Sequence, residues 1–272
     1  MIRSAITVCL VTEARSGPFV HHVPLEQGLA LVAADGFDAV EIFPTHPDDL
    51  DGLELREGLR QHGLKLAAMG TGAGFLRHKL TLTDPDARIR ARAEDFIGAV
   101  VDFAGGHGAP AILGSMQGRH GGEVSREQAL EWLAWALNQL GPRAHALGVP
   151  LLYEPLNRYE TNLFNTVADA LVFLDTLRTR NVKLLCDLFH MNIEEADIPA
   201  ALRLAGDRLG HVHFADTNRR AVGLGHLDVA PIAATLREMG YSGYVSAEVL
   251  PLPDAATASA RTLESFRRWF PR

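Results

Sequence analysis

The chain has 272 residues, of which 47% are hydrophobic and 22% are charged, so it can bury a substantial core and lacks the composition of a disordered chain. Its formal net charge of −7 would repel a polyphosphate, which argues against nucleic acid as a ligand. It has two cysteines, each within an apolar run, no signal-peptide pattern and no stretch approaching ~18 uninterrupted apolar residues, so we expect a cytoplasmic protein without a membrane partner.

The hydrophobic pattern alternates along the whole chain between short apolar runs, which predict strands, and longer amphipathic stretches, which predict helices. The first four strand and helix pairs are expected at residues 4–11 and 24–34, 39–43 and 50–62, 64–69 and 87–103, and 111–114 and 126–147. The next four pairs are expected at residues 151–153 and 166–177, 183–186 and 198–205, 209–214 and 229–239, and 244–249 and 255–270.

Strict alternation of strand and helix indicates parallel strands joined by right-handed crossovers. Short, nearly all-apolar strands favour a closed barrel. Dividing the 272 residues among eight units leaves about 34 residues for each strand, helix and pair of loops, which is about what such a unit requires. No linker or low-complexity tract interrupts the chain. The sequence therefore predicts an α/β fold, a single (β/α)8 TIM barrel over residues 1–272, with its active site in the loops after the strands.

Four consecutive predicted strands in the second half end in a residue that can bind a metal ion. These residues are Glu154, Asp187, His213 and Glu248. A charged group at the end of a buried strand costs several kcal/mol in desolvation unless it is paired or metal-bound, so four on one barrel mouth indicate a cation. Oxygen and imidazole ligands suit Mn²⁺, Mg²⁺ or Co²⁺ better than structural zinc. The alternative is that each residue caps a helix or forms an ion pair.

Three segments around these residues are similar to a known group of enzymes. They are Glu-Pro-Leu-Asn-Arg-Tyr-Glu at residues 154–160, the segment 187–195 beginning Asp-Leu-Phe-His, and His-Val-His followed by Asp-Thr-Asn-Arg within residues 211–219. Together with the strand that ends in Glu248, they resemble the xylose-isomerase-like sugar isomerase and epimerase superfamily, and within it the D-tagatose and D-psicose 3-epimerases. The resemblance implies that Glu154, Asp187, His213 and Glu248 hold one divalent ion, with Mn²⁺ expected first.

The same resemblance marks Glu160, His190 and Arg219 as contacts of a small sugar substrate. Arg219 would supply fixed donors to a hydroxyl or developing oxyanion, His190 would donate to the C2 oxygen, and Glu160 would orient a terminal hydroxyl or that histidine. The competing interpretations give two of these residues no contact with a substrate. Arg219 could be a solvated loop charge, and His190 could be a core histidine.

The implied activity is inversion at C3 of a free ketose. If the ketose bound the metal through its C2 and C3 oxygens, the cation would stabilise an enediolate. Glu154 and Glu248 are expected on opposite faces of the sugar, so that one removes the C3 proton and the other returns it. An aldose–ketose isomerase of the hydroxypyruvate type, or an inosose or sugar-phosphate isomerase, would use the same metal site. An apurinic-site endonuclease would need more ligands and a basic face.

Features outside these motifs give weaker expectations. Glu41 ends a predicted strand and is expected to support the site from behind, or to form an ion pair. The segment 70–74 (Gly-Thr-Gly-Ala-Gly) is expected to be a flexible lid. Trp132 and Trp135 indicate helix packing or an oligomer contact. An oligomer contact would make the protein a homo-oligomer, either a dimer or a tetramer. The first half departs from the epimerase group, because it shows no clear counterpart of that group's aromatic pocket segments after strands one and three.

Overall fold

The computed structural model describes residues 1–271. Within them, eight parallel strands follow one another in sequence order and close into a barrel, because the last strand pairs with the first. The strands are β1 (Arg3–Cys9), β2 (Ala39–Phe43), β3 (Lys65–Gly70), β4 (Ala111–Leu113), β5 (Leu151–Tyr153), β6 (Val182–Asp187), β7 (Leu209–His213) and β8 (Tyr244–Ala247). The predicted (β/α)8 TIM barrel is confirmed.

Helices connect successive strands, as the alternating pattern predicts. They are α1 (Leu25–Asp35), α2 (Gly52–His62), α3 (Ala73–His78), α4 (Ala87–Gly106), α5 (Arg126–Ala146), α6 (Val167–Thr176), α7 (Leu188–Glu194), α8 (Ile198–Ala205), α9 (Val229–Glu238) and α10 (Ala255–Trp269). Within residues 1–271, no helix is long and apolar enough to cross a bilayer.

Local sequence determines where these helices begin and end, and α2 illustrates this. The Asp51 carboxylate accepts from the backbone N–H groups of Leu53 and Glu54, which have no partner within the helix. The helix ends at Gly63, which has a φ of +67°, a left-handed conformation that costs glycine little. The chain can therefore reverse directly into β3.

The strands bury both faces, which explains why their sequences are nearly continuous apolar runs. One buried cluster, separate from the main hydrophobic core, takes one residue from each of β3 to β6: Ala68, Ile112, Leu152 and Leu185. Apolar side chains of this kind fill the interior of small barrels. The barrel is therefore packed below its carboxyl end on this side, and the cavity lined by strand-end residues lies at the mouth.

Two short helices, α3 and α7, were not expected from the sequence, because helices this short do not complete enough turns for a helical period to appear. Helix α3 changes the interpretation of the glycine-rich segment 70–74. Gly70 ends β3, and a Cβ at Gly70 or Gly72 would lie 2.7–2.8 Å from ring atoms of Phe43. These glycines permit close packing on an aromatic ring, and the structure shows a strand end and a helix here instead of an open lid loop.

The two tryptophans of α5 differ in their surroundings. Trp132 lies against the Arg90 guanidinium, whose carbon is 3.8 Å from the ring centroid, so it packs between α4 and α5. Trp135 is 62% exposed. An oligomer contact through Trp135 stays a prediction.

Candidate active site

The four predicted metal ligands lie at the carboxyl ends of β5 to β8. Asp187 and His213 are the last residues of β6 and β7, and the strand register places them side by side. Glu154 and Glu248 directly follow β5 and β8. Because parallel strands of a barrel end at one rim, the fold directs all four side chains to the same place.

The imidazole of His213 lies in the middle of the three carboxylates. Its Nδ1 is 3.7 Å from Oε1 of Glu154, 3.9 Å from Oδ2 of Asp187 and 3.8 Å from Oε2 of Glu248. Nδ1 of His213, Oε1 of Glu154 and Oδ2 of Asp187 are buried and have no hydrogen-bond partner. Buried polar atoms are normally satisfied, so three buried atoms that converge without hydrogen-bond partners fit the ligand set of a cation.

Asp187 shows why helix capping and metal binding were both reasonable expectations. Its Oδ1 accepts from the backbone N–H of Phe189 at 2.8 Å and so caps the N-terminus of α7. Its other oxygen, Oδ2, points at His213 and has no hydrogen-bond partner. Capping therefore accounts for one oxygen and leaves the other available to a ligand.

The carboxylates of this cluster are in electrostatic conflict. Burial raises the pKa of Glu154 well above its usual value, and the charges of Glu248 and Asp187 raise it further. Burial also raises the pKa of Glu248. For Asp187, burial is outweighed by the neighbouring His213 and Arg219, which lower its pKa. A divalent cation bound between the three carboxylates would relieve much of this conflict, because it offsets two of their three negative charges.

Glu41 lies in the middle of β2, not at a strand end as expected from the sequence, and its side chain supports His213 from below. Its carboxylate accepts from Nε2 of His213 at 3.1 Å, from Nε2 of His211 at 2.9 Å and from the Thr7 hydroxyl at 3.2 Å. Burial opposes ionisation, but the two imidazoles outweigh it and lower the pKa of Glu41. Because Nε2 of His213 donates its hydrogen to Glu41, Nδ1 is the nitrogen that is left to face the cluster.

Arg219 is held in place from several sides. Its Nη2 donates to Oε2 of Glu248 at 2.7 Å, its Nη1 donates to Oε1 of Glu160 at 3.3 Å, and its guanidinium carbon lies 4.8 Å from the centroid of Phe189. Its backbone has a φ of +59°, which is unfavourable for a residue with a side chain and is found mainly where the surroundings enforce it. With its side chain 18% exposed, Arg219 is no solvated loop charge.

His190 lies on α7 and is 1% exposed. Its Nε2 is 3.5 Å from Oδ2 of Asp187 and 3.9 Å from Oε1 of Glu154, and it has no hydrogen-bond partner. Burial lowers the pKa of His190, so a neutral imidazole is favoured here. The structure thus brings Glu160, His190 and Arg219 together around the four-residue cluster.

A cavity of about 300 Å³ opens above the cluster. The polar side chains that line it include Glu154, Glu160, His190, His213, Arg219 and Glu248. Phe19, Phe43 and Phe75 also line it, and they come from the loop after β1, the end of β2 and α3. Aromatic rings thus do enter the cavity after strands one and three, although the sequence shows no clear counterpart of the epimerases' aromatic segments there. A single phenylalanine in a loop carries no periodic signal, so only the folded chain reveals its position.

Two buried residues in the quoted motifs received no role from the sequence. Asn157 donates to the ring of His190 and to the carboxylate of Glu160. Asp216 accepts from the backbone N–H groups of Thr217, Gly223 and Leu227, and so folds the loop that carries Arg219. Their positions within the quoted motifs were the only sequence signal, since a single polar side chain does not reveal its partner.

Fold and site together define a (β/α)8 barrel with a buried cluster of carboxylates and imidazoles at the carboxyl ends of its strands. Residues 29–267 match the model of the xylose isomerase-like TIM barrel family. The chain belongs to this family.

Relatives with assigned names cover most of the chain. An L-ribulose 3-epimerase of Mesorhizobium japonicum is 32% identical over 228 residues, which span 82% of this chain and 75% of the relative. A D-psicose 3-epimerase of Agrobacterium fabrum is 31% identical over 242 residues, spanning 86% and 79%. The crystal structure of a D-allulose 3-epimerase from Methylomonas sp. superposes with a TM-score of 0.83 at 26% identity and covers 99% of both chains.

Proposed function

We propose that this protein is an isomerase-class enzyme, a divalent-metal-dependent epimerase that inverts C3 of a free ketose. The observation that carries the proposal is the set of buried, unpartnered atoms of Glu154, Asp187 and His213 that converge with Glu248 beneath a cavity lined by further polar side chains. The 3-epimerase names of relatives that cover more than four-fifths of the chain support the reaction class.

Glu154, Asp187, His213 and Glu248 are proposed to hold the ion. Three carboxylates and one imidazole suit Mn²⁺, with Mg²⁺ or Co²⁺ as alternatives. When bound, the ion supplies the positive charge that stabilises an oxyanion next to a carbon losing its proton. Both cysteines are free and buried, which supports the cytoplasm as the compartment.

Glu154 and Glu248 are proposed to move the C3 proton. They follow strands that lie three positions apart around the barrel, and so approach the cavity from different sides. Their surroundings differ, since Glu248 is paired with Arg219 while Oε1 of Glu154 has no hydrogen-bond partner. Removal of a proton by one carboxylate and its return by the other on the opposite face would invert C3.

The remaining polar residues are proposed to bind and orient the sugar. Nε2 of His190 would donate to the carbonyl oxygen at C2, because it faces the cluster without a partner. Arg219 would keep Glu248 oriented, and Glu160 would accept from a sugar hydroxyl. Phe19 and Phe43 would exclude water from the cavity.

The test is solvent exchange. The Mn²⁺-loaded protein is incubated in D₂O with D-psicose, D-fructose or L-ribulose, the metal is removed with EDTA, and the sugars are analysed by NMR. We expect deuterium at C3 together with the C3 epimer. Exchange at C1 with formation of an aldose would assign an isomerase instead, and a lack of exchange in all the sugars would refute the ketose epimerase.

A further inference from the structure

The orientation of the His190 ring is determined by one neighbouring residue, Asn157. The backbone N–H of Asn157 points at Nδ1 of His190 at 3.3 Å, and the side-chain Nδ2 of Asn157 lies 2.7 Å from the same ring nitrogen. Both residues are almost completely buried, with 2% and 1% exposure. Water is therefore no alternative partner for Nδ1.

The amide orientation of Asn157 is defined by its other contacts. Its Oδ1 accepts from the backbone N–H of Tyr159 at 3.0 Å, and its Nδ2 also donates to Oε1 of Glu160 at 3.0 Å. If the amide were rotated, a donor would face the Tyr159 N–H and an acceptor would face the Glu160 carboxylate. The Asn157 amide therefore presents its N–H₂ group to His190.

Two donors that meet one ring nitrogen require that nitrogen to be the acceptor. A neutral imidazole has one N–H, so the hydrogen must then be on Nε2. The carboxylate of Glu160 does not compete, because its Oε1 is 3.9 Å from Nδ1 of His190, beyond hydrogen-bond distance. Nε2 is the atom that faces the cluster and has no hydrogen-bond partner there.

We infer that Asn157 is a positioning residue that holds His190 as the Nε2–H tautomer, with this N–H directed at the substrate oxygen. The role in turnover rests on the proposed function, whereas the tautomer itself does not. Asn157 acts through His190 and also connects it, through Glu160 and Arg219, to Glu248. The Asn157 amide thus links the orientation of His190, the donor on α7, to that of Glu248, the proposed acid–base residue after β8.

The direct test is the ¹H–¹⁵N NMR signature of His190 in the Mg²⁺-loaded wild-type protein, assigned by comparison with His190→Gln. We expect a protonated Nε2 and an unprotonated Nδ1. Protonation at Nδ1 would overturn the inference, and this measurement does not depend on turnover. If no ketose is epimerised but the expected tautomer is found, the proposed function fails while the tautomer assignment stands.

The functional test is Asn157→Asp, which keeps the acceptor for Tyr159 but replaces the donor to His190 with a second acceptor. The backbone N–H at 3.3 Å remains, but a carboxylate oxygen in place of the amide nitrogen at 2.7 Å outweighs it, so we expect Nδ1 to become protonated. We expect kcat on D-psicose to fall about 100-fold, the cost of losing one fixed donor to a developing oxyanion. Asn162→Asp is the matched control, since Asn162 lies in the same loop and pairs with the backbone of His120 instead. We expect less than a threefold change for it.

Equal losses of kcat in Asn157→Asp and Asn162→Asp would assign Asn157 a purely structural role in the loop. A double variant separates the two explanations further. In a His190→Gln background, Asn157→Asp should cause little additional loss, because its effect passes through His190. Full additivity would overturn the inference. Circular dichroism and thermal unfolding check that each variant is folded.

Discussion

Replacing Glu41 with glutamine tests whether its carboxylate holds the imidazole of His213 in position beneath the cluster. The Glu41 carboxylate accepts one imidazole N–H on each side, from His211 at 2.9 Å and from His213 at 3.1 Å. Glutamine has one oxygen and one N–H₂ group, so at least one imidazole N–H would face a donor. A buried hydrogen bond to a charged group contributes about 1.5–3 kcal/mol. If His213 binds the proposed ion, Glu41→Gln should weaken binding about 10- to 150-fold.

The assay is calorimetric titration of the metal-free protein with Mn²⁺, together with the rise in melting temperature that saturating Mn²⁺ produces. Glu238→Gln makes the same chemical change on α9, where the side chain is 65% exposed, and serves as the matched control. We expect Mn²⁺ affinity to be unaffected by the control. A Glu41→Gln protein that is folded and binds Mn²⁺ within twofold of wild type would refute the supporting role of Glu41.

Three further substitutions probe different parts of the site. Glu248→Gln should reduce deuterium incorporation at C3 by at least about 100-fold while far-UV circular dichroism stays unchanged, and a fully active variant would remove Glu248 from the mechanism. Gly114→Ala would place a Cβ 2.7 Å from Oε2 of Glu154, so kcat/KM on D-psicose should fall about 100-fold, and an unchanged value would show that the carboxylate can move freely. Asp216→Ala removes the acceptor of three backbone N–H groups, at 2.7–3.0 Å, and should lower the free energy of unfolding in urea by about 3 kcal/mol; a change below about 0.5 kcal/mol would contradict that contribution.

The barrel was predictable because its signal is repeated. Strand and helix alternate eight times, and a misplaced boundary in one unit does not alter the order of the others. The strand-end positions of Glu154, Asp187, His213 and Glu248 followed directly, since the rule that parallel strands end at one rim needs no side-chain detail. The bounds of individual elements were less accurate, as for β1, which ends at Cys9 two residues before the predicted position.

Which side chains of the site contact one another could not be predicted from the sequence. Helix α7 is too short to show a period, yet it turns His190 toward Asp187. The residues that pair in the site lie far apart in the chain: Glu41 contacts His213, and Arg219 contacts Glu160.

The amino-acid sequence alone determined the type of architecture and the rim at which chemistry would be placed, because hydrophobic period and strand ends are local properties. Only the tertiary structure decided which oxygen of Asp187 is used for a cap, which nitrogen of His213 faces the cluster and which phenylalanines line the cavity. These depend on distances and angles between segments that are remote in sequence. Hydrogen bonds are short and directional, so a shift of about an ångström changes which atoms pair. Such positions cannot be predicted from the order of the residues.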